Sequence, residues 1–111
     1  MVRRMFYKKE LSQIVKTIRD KYRPEKILLF GSMARGDFRE GSDIDMLIIK
    51  KSNKKRRVRS AEVLNAVKGV NRRLAFGPIV MTPDEFNQGV NNNRYFFREI
   101  INNSRVLYEA R

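Results

Sequence analysis

The chain has 111 residues, 41% hydrophobic and 33% charged, and this composition predicts one globular domain spanning residues 1–111. It contains no cysteine and no histidine, which excludes disulfides, thiolate metal sites and any catalysis that depends on imidazole. No apolar run approaches the length that crosses a bilayer, and the basic N-terminus lacks the apolar core of a secretory signal, so we expect a cytoplasmic protein without a membrane partner.

Apolar periodicity and turn signals predict an alternation of helices and strands along the chain. In chain order the predicted elements are a helix (6–22), a strand (26–30), a helical turn (32–35), a loop (37–42), a strand (43–50), a helix (58–75), a strand (78–82), a helix that begins at Thr82-Pro83-Asp84-Glu85, a helix (94–104) and a strand (105–110). The aromatic cluster Tyr95-Phe96-Phe97, with Ile100 and Ile101 at helical spacing, is predicted to be core. This order predicts a mixed α/β (α+β) domain, with helices packed on a small mixed β-sheet.

The turn after the first predicted strand carries the first candidate ligand groups. A helix that starts directly after a strand presents free backbone N–H groups, which together with the helix dipole attract anions such as phosphate. Gly31 lets the backbone approach a ligand closely, Ser32 offers a hydroxyl and an N–H, and Arg35 follows one turn later. An ordinary strand-to-helix turn with a serine cap explains Gly31 and Ser32 at least as well, so the pair alone does not establish a phosphate site.

Asp43 and Asp45 begin the second predicted strand. Residues two apart in a strand point to the same face, roughly 6.5–7 Å apart. Aspartate is depleted in strands, and two carboxylates on one face repel each other unless something compensates them. Magnesium is a natural compensation, because it takes oxygen ligands and typically uses one or two carboxylates with waters and substrate phosphates. The alternative is a frayed strand start, in which Asp43 caps a turn and Asp45 is solvated.

The two motifs occur together in the segment GSMARGDFREGSDID, residues 31–45. A glycine-serine pair, a ten-residue gap and Asp-x-Asp resemble the signature of the DNA polymerase beta-like nucleotidyltransferase superfamily. The small size of the chain, its TPDEF helix start and its final RVLYEA strand are similar to minimal nucleotidyltransferases, the antitoxin-type partners of helical HEPN proteins. The resemblance covers almost the whole chain and implies the polymerase beta-like nucleotidyltransferase fold.

The resemblance also implies roles for the motif residues. Gly31 and Ser32 would hold a triphosphate, and Arg35 matches a phosphate-contacting arginine of related antibiotic nucleotidyltransferases. Asp43 and Asp45 would be the catalytic carboxylates and the ligands of two Mg²⁺ ions. The implied chemistry is in-line attack of an acceptor hydroxyl on the α-phosphorus of ATP, with pyrophosphate leaving. In the antitoxin branch the transferred group is AMP, and the acceptor is a tyrosine of the HEPN partner.

One position departs from the family pattern. The superfamily usually supplies a third acidic residue from a later strand, shortly before a threonine-proline pair, and alignment on Thr82-Pro83 places Gly77 there. Glu62 and Asp84 are the nearest acidic residues on either side, and both are expected on the surface. Two alternatives follow, and the first is favoured. The chain is an enzyme that works with two carboxylates and water, or it is a nucleotide-binding module that neutralises a partner without efficient transfer.

A basic run follows the carboxylate-bearing strand. Its cations are Lys50, Lys51, Lys54, Lys55, Arg56, Arg57 and Arg59. With a formal net charge of +13, the run favours a polyanionic partner, so an RNA-binding or RNA-extending protein is a third alternative. A solvated loop explains the run equally well, and the run lacks the interleaved aromatic residues of a single-strand nucleic-acid platform. Neither base preference nor oligomeric state follows from the sequence.

Overall fold

The structure, a computed structural model, describes residues 2–36, 43–71, 73–92 and 94–111, without the side chains of residues 2–6 and 32. The predicted loop at 37–42 lies outside these ranges. The described elements follow the predicted order: α1 (Val2–Lys21), β1 (Lys26–Phe30), α2 (Ser32–Arg35), β2 (Asp43–Ile49), α3 (Arg56–Ala66), β3 (Ala75–Met81), α4 (Pro83–Asn91), α5 (Tyr95–Asn103) and β4 (Arg105–Glu109). None of the helices in these ranges combines the length and the apolar character that crossing a bilayer requires.

The strands form one mixed sheet in the order β3-β2-β1-β4. β1 pairs antiparallel with β2 and β4, whereas β2 and β3 run parallel and are joined by the crossover helix α3. The end of β1 therefore meets the starts of β2 and β3 at one end of the sheet. We call this end, which carries Phe30, Gly31, Asp43, Asp45 and Gly77, the motif end. The mixed sheet with packed helices confirms the predicted fold class.

Different helices cover the two faces of the sheet. α1 and α3 pack on one face, where the even-numbered residues of β2 from Ile44 to Ile48 are buried. α4 and α5 pack on the other face, where the odd-numbered residues of β2 are buried from Leu47 onward. Because β2 contributes side chains to both cores, its apolar residues from Met46 to Ile49 are consecutive in sequence rather than alternating with polar residues. Asp43 and Asp45 have the odd positions, so they lie on the α4–α5 face.

A buried arginine joins the crossover helix to the sheet and to α4. Arg59 is 6% exposed, and its Nη1 lies 2.6 Å from Oε1 of Glu85. Its Nε donates to the carbonyl of Lys54 at 2.8 Å, and its Nη1 donates to the carbonyl of Val80 at 3.3 Å. Glu85 also forms a capping box with Thr82 at the start of α4, which confirms the predicted helix start. Arg59 is thus a packing residue, a role that neither alternative for the basic run, a solvated loop or a site for a polyanion, includes.

Replacement of Arg59 by alanine is expected to lower the free energy of unfolding by about 2 kcal/mol. The substitution removes charge-assisted hydrogen bonds and leaves Glu85 without its arginine partner. The Glu85 side chain is 34% exposed, so water partly replaces that partner. The matched control is Arg57→Ala in the same helix, where the arginine is exposed and the expected change is within about 0.5 kcal/mol. Urea titrations followed by circular dichroism measure both. Equal losses would contradict the structural role of Arg59.

The same pair gives the stability a defined pH dependence. Burial alone would raise the pKa of Glu85, but the hydrogen bond from Arg59, the backbone N–H of Thr82 and the charge of Arg59 outweigh it, so the pKa lies below its ordinary value. A carboxyl with a lowered folded-state pKa stabilises the fold above its unfolded pKa and loses that contribution as pH falls through the folded pKa. The difference between wild type and Arg59→Ala should therefore shrink in acid.

The largest departure from the predicted elements lies between α3 and β3. The helix predicted over 58–75 ends at Ala66 and is followed by turns. A carboxylate that is distant in sequence binds the backbone just before β3. Glu10 of α1 is 6% exposed and accepts the backbone N–H of Leu74 at 2.8 Å. This contact starts β3 earlier than predicted, and Gly77 consequently lies within the strand.

The predicted aromatic core of α5 is only partly correct. Phe97 and Ile100 are buried as expected, but Tyr95 is 73% exposed and Ile101 is 56% exposed. α5 buries one side only, the side that carries Phe97 and Ile100. Phe96 lies between these sides and packs edge to face against the ring of Phe97, with centroids 5.2 Å apart.

Candidate active site

A glycine turn and a carboxylate meet directly at the motif end. Phe30 pairs with Asp45 across β1 and β2, and Gly31 follows with a φ of 77°. Glycine adopts this left-handed conformation with little strain. A Cβ at Gly31 would overlap Oδ2 of Asp45 and lie 3.3 Å from its Cγ. Only a residue without a side chain allows the turn to pass this close to the carboxylate.

Gly31→Ala is expected to be more destabilising than Gly36→Ala. Both glycines have positive φ, 77° and 80°, so both substitutions carry strain of about 1–2 kcal/mol. A Cβ at Gly36 meets no described atom within 4 Å, whereas a Cβ at Gly31 must displace the Asp45 carboxylate. The difference between the two urea unfolding free energies therefore isolates the Gly31–Asp45 contact. Equal losses would show that this contact is easily relaxed.

The half-buried carboxylate of Asp45 lies within the electrostatic influence of Asp43 and Arg35. Asp43 is exposed and Asp45 is half-buried. Burial raises the pKa of Asp45 and the charge of Asp43 raises it further, while the charge of Arg35 opposes both. The pair offers oxygen donors on one face, which fits a Mg²⁺ ion whose other ligands are waters and phosphates. Among the described residues no third acidic, histidine or cysteine side chain completes a cluster with them.

The short helix α2 places Arg35 close to the same carboxylate. α2 begins at Ser32, as predicted, and the N–H of Arg35 donates to the carbonyl of Gly31 at 3.3 Å. The guanidinium acts electrostatically on Asp45. The Ser32 side chain lies outside the described part of the structure, so its hydroxyl contact with phosphate stays a prediction. The fold thus brings Gly31, Arg35, Asp43 and Asp45 together from positions up to 14 residues apart.

Gly77 lies beside Asp45 in the parallel register of β2 and β3. A Cβ built at Gly77 would lie 4.0 Å from Oδ1 of Asp45, which is ordinary contact distance in an open position. The position to which the family pattern assigns a third acidic residue is therefore adjacent to the carboxylates and holds glycine. Asp84 follows the opposite end of β3, and Glu62 lies in α3 paired with Lys54 at 2.6 Å, so neither replaces it.

Comparisons with known proteins assign the family. A model of the nucleotidyltransferase domain family matches residues 11–107. The chain belongs to the nucleotidyltransferase domain family. It is 35% identical over 102 residues to "Putative protein adenylyltransferase MJ0604" of Methanocaldococcus jannaschii, covering 90% of this chain and 96% of that protein. It is 49% identical over 45 residues to "Putative protein adenylyltransferase MJ0141" of the same organism, covering 40% of each.

A solved structure supports the fold of this nucleotidyltransferase. The crystal structure of "a putative nucleotidyltransferase from Sulfolobus solfataricus" superposes with a TM-score of 0.57 at 23% identity, covering 96% of this chain and 81% of that one. At this identity the likeness concerns the fold. The family match confirms the prediction of an enzyme of the nucleotidyltransferase class, whose substrates are nucleotides.

The first residue of the basic run lies far from the carboxylates of this nucleotidyltransferase. Lys50 follows the opposite end of β2 from Asp43, which at strand spacing is about 23 Å away. Its Nζ donates to the carbonyl of Arg23 at 3.2 Å and lies 5.2 Å from the ring centroid of Tyr22. These contacts and the buried Arg59 show that part of the run serves the fold.

An aromatic link beside the site was not predicted. The ring of Phe30, the residue before Gly31, packs edge to face against Phe96 of α5, with centroids 5.5 Å apart. This contact anchors the start of α5 near the motif end. The only signal in the sequence is that Phe30 ends the apolar run of β1, and this does not indicate that Phe96 is its partner.

Proposed function

We propose that this nucleotidyltransferase uses ATP and Mg²⁺ to transfer AMP to a hydroxyl group of another protein. The observation that carries the proposal is the packing of the Gly31 turn against Asp45, with Asp43 on the same face. This arrangement offers adjoining positions to a triphosphate and to a divalent cation. The names of the two Methanocaldococcus proteins support adenylyl transfer to protein.

The residues of the motif end have different roles in the proposed reaction. Asp43 and Asp45 would hold Mg²⁺, which when bound neutralises phosphate charge and favours departure of pyrophosphate. Gly31, Ser32 and Arg35 would hold the triphosphate and orient the α-phosphorus toward the acceptor. The acceptor hydroxyl attacks that phosphorus in line, a new P–O bond forms and the bond to pyrophosphate breaks. Since Gly77 offers no carboxylate, the hydroxyl proton passes to water.

A cleft on the same sheet face as the carboxylates offers a position for the acceptor. It has a volume of about 580 Å³ between β3, α4 and α5, and Arg56, Ile79, Arg94 and Phe96 are among its lining residues. Ile79 lies two residues after Gly77 on the same strand face, so the cleft begins about 7 Å along β3 from the motif end. We assign the acceptor to a tyrosine of a small helical HEPN-type protein, with this chain as its antitoxin. The resemblance of residues 31–45 supports this assignment.

The test combines the protein with ATP, Mg²⁺ and its helical partner and measures intact masses. We expect the partner to gain the mass of one AMP group, and ATP to be preferred when each of the common nucleoside triphosphates is supplied alone. Omission of the metal should abolish the gain. A folded protein that binds ATP and leaves the partner mass unchanged would contradict the transfer reaction.

Gly77 favours one second candidate, a module that binds nucleotide and neutralises its partner by association alone. Calorimetry with ATP and Mg²⁺, followed by a long transfer assay, separates the two functions. Binding without any turnover supports the module, and repeated turnovers exclude it. The RNA-binding alternative rests on the charge of +13 and requires affinity that falls steeply with salt.

A further inference from the structure

A second groove lies on the sheet face opposite the carboxylates, between α1 and β4. Its volume is about 490 Å³. It is lined by Lys8, Leu11, Ser12, Val15, Lys16, Arg19, Leu29, Arg105 and Leu107. We call it the α1–β4 groove. Because Leu29 belongs to the core shared with α1, and the aspartates lie on the α4–α5 face, the groove is separate from the candidate active site.

The lining combines an apolar floor with a cationic rim. Leu11, Val15 and Leu107 are only partly buried, although they pack against the core. Four cations surround them, Lys8, Lys16, Arg19 and Arg105, and all four are exposed. No carboxylate is among the lining residues in the described part of the chain. The acids of α1 are Glu10, which accepts the backbone N–H of Leu74, and Asp20, which pairs with Arg19 at 3.0 Å.

We propose that the α1–β4 groove binds an acidic amphipathic helix of a partner protein. The charge complementarity carries this inference, because an occupant with apolar anchors and flanking carboxylates satisfies both the floor and the rim. The α1 side of the groove runs from Lys8 to Arg19, which is about 17 Å or three helical turns. A helix of that length fits alongside α1.

The layer structure also favours a helix as the occupant. α1 and α3 pack on this face, and α1 contacts β4, the strand at the sheet edge. Leu107 of β4 nevertheless stays half-buried beside α1. A helix laid beside α1 over β4 would complete the second layer in the way that helices normally pack on a sheet.

Two other occupants fit less well. A second copy of the chain in symmetric contact would bring the four rim cations against their own copies, because a two-fold interface presents the same patch on both sides. An RNA strand would match the rim but would leave the leucine and valine floor without a stacking surface, since none of the lining residues that the structure describes is aromatic. An acidic helix avoids both difficulties.

The experiment uses a fluorescein-labelled synthetic peptide of about three helical turns, with leucines on one face and glutamates on its flanks. Binding to the full chain is measured by fluorescence anisotropy. Three competitors test the chemistry: a peptide of the same composition with scattered leucines, a peptide with lysines in place of the glutamates, and a single-stranded RNA. We expect competition from the unlabelled acidic peptide and at least about tenfold weaker competition from each of the three.

Paired charge reversals locate the binding. Lys8→Glu with Lys16→Glu should weaken peptide binding at least about tenfold. The control, Lys55→Glu with Arg57→Glu, changes the net charge equally at exposed positions, where glutamate is favourable at the start of α3. We expect about twofold or less from the control. None of these residues belongs to the candidate active site, so adenylyl transfer measures the proposed function independently.

Three results would overturn the proposal. They are equal weakening by the two double variants, equal competition by the scattered-leucine peptide or the RNA, and absence of peptide binding to a folded wild-type chain. Circular dichroism establishes that each variant is folded before binding is compared. Loss of transfer activity with intact peptide binding would count against the proposed function alone.

Discussion

Asp45→Asn is expected to lower the rate of adenylyl transfer by at least about 10³-fold. The substitution keeps the size of the side chain but removes the half-buried carboxylate that lies against Gly31 and beside Asp43. Without that charge the pair no longer provides two anionic ligands for Mg²⁺. Transfer of AMP to the partner, followed by intact mass over time, measures the loss.

The Asp45→Asn substitution should raise the stability of the folded chain, although it lowers the transfer rate. The pKa of Asp45 is raised by burial and by Asp43, so above the ordinary aspartate pKa the ionised carboxylate destabilises the folded chain. At neutral pH the Asp45→Asn variant should therefore unfold at a higher urea concentration than wild type. The difference should disappear as pH falls below the pKa of the unfolded chain, where both side chains are neutral.

The matched control is Asp84→Asn, which removes an exposed carboxylate at the far end of β3. This variant should keep the wild-type transfer rate within about a factor of two. Retained transfer in Asp45→Asn, or an equal loss in Asp84→Asn, would remove Asp45 from the proposed metal site. A loss of folding in Asp45→Asn would contradict the predicted stability gain.

Gly77→Asp is expected to raise the transfer rate by about 10²-fold or more, within the range that a positioned general base contributes. The register places the new side chain next to Asp45, and the position is open because the nearest atoms lie 4.0 Å from a Cβ there. A carboxylate at this position can accept the acceptor proton that the wild-type chain must release to water. Initial rates of AMP transfer at saturating ATP measure the gain.

Gly77→Asn separates charge from shape in that experiment. It adds a side chain of nearly the same size without a carboxylate, and we expect a rate close to that of wild type. The aspartate variant should also be less stable than the asparagine variant in the absence of Mg²⁺, because a third carboxylate increases the repulsion around Asp45. If Gly77→Asp is folded and no faster than Gly77→Asn, proton acceptance at this position does not limit the reaction.

The order of the elements could be predicted because it depends on local signals. The apolar run of β1 and the helix start at Thr82 are both readable within a few residues, and both occur as predicted. The convergence of Gly31 with Asp43 and Asp45 also followed, since a strand, a short helix and a returning antiparallel strand bring these residues to one end of the sheet.

The errors arose from contacts distant along the chain. The end of α3 and the start of β3 depend on Glu10, which binds the backbone of Leu74 from 64 residues away. The burial of Arg59 was not predicted, because its partner Glu85 is 26 residues away. The exposure of Tyr95 could not be predicted either, because helical spacing does not indicate which side of α5 faces the sheet. Such outcomes depend on tertiary packing rather than on local propensity.

The contact between Gly31 and Asp45 has a consequence for cooperativity. A ligand that orders the turn and a cation that fixes the carboxylate each restrict the position of the same few atoms. Their binding free energies are therefore coupled, and by thermodynamic reciprocity each must strengthen or weaken the other by the same factor. In a chain that binds both, metal affinity measured with and without nucleotide should reveal a coupling that Gly31→Ala diminishes and Gly36→Ala preserves.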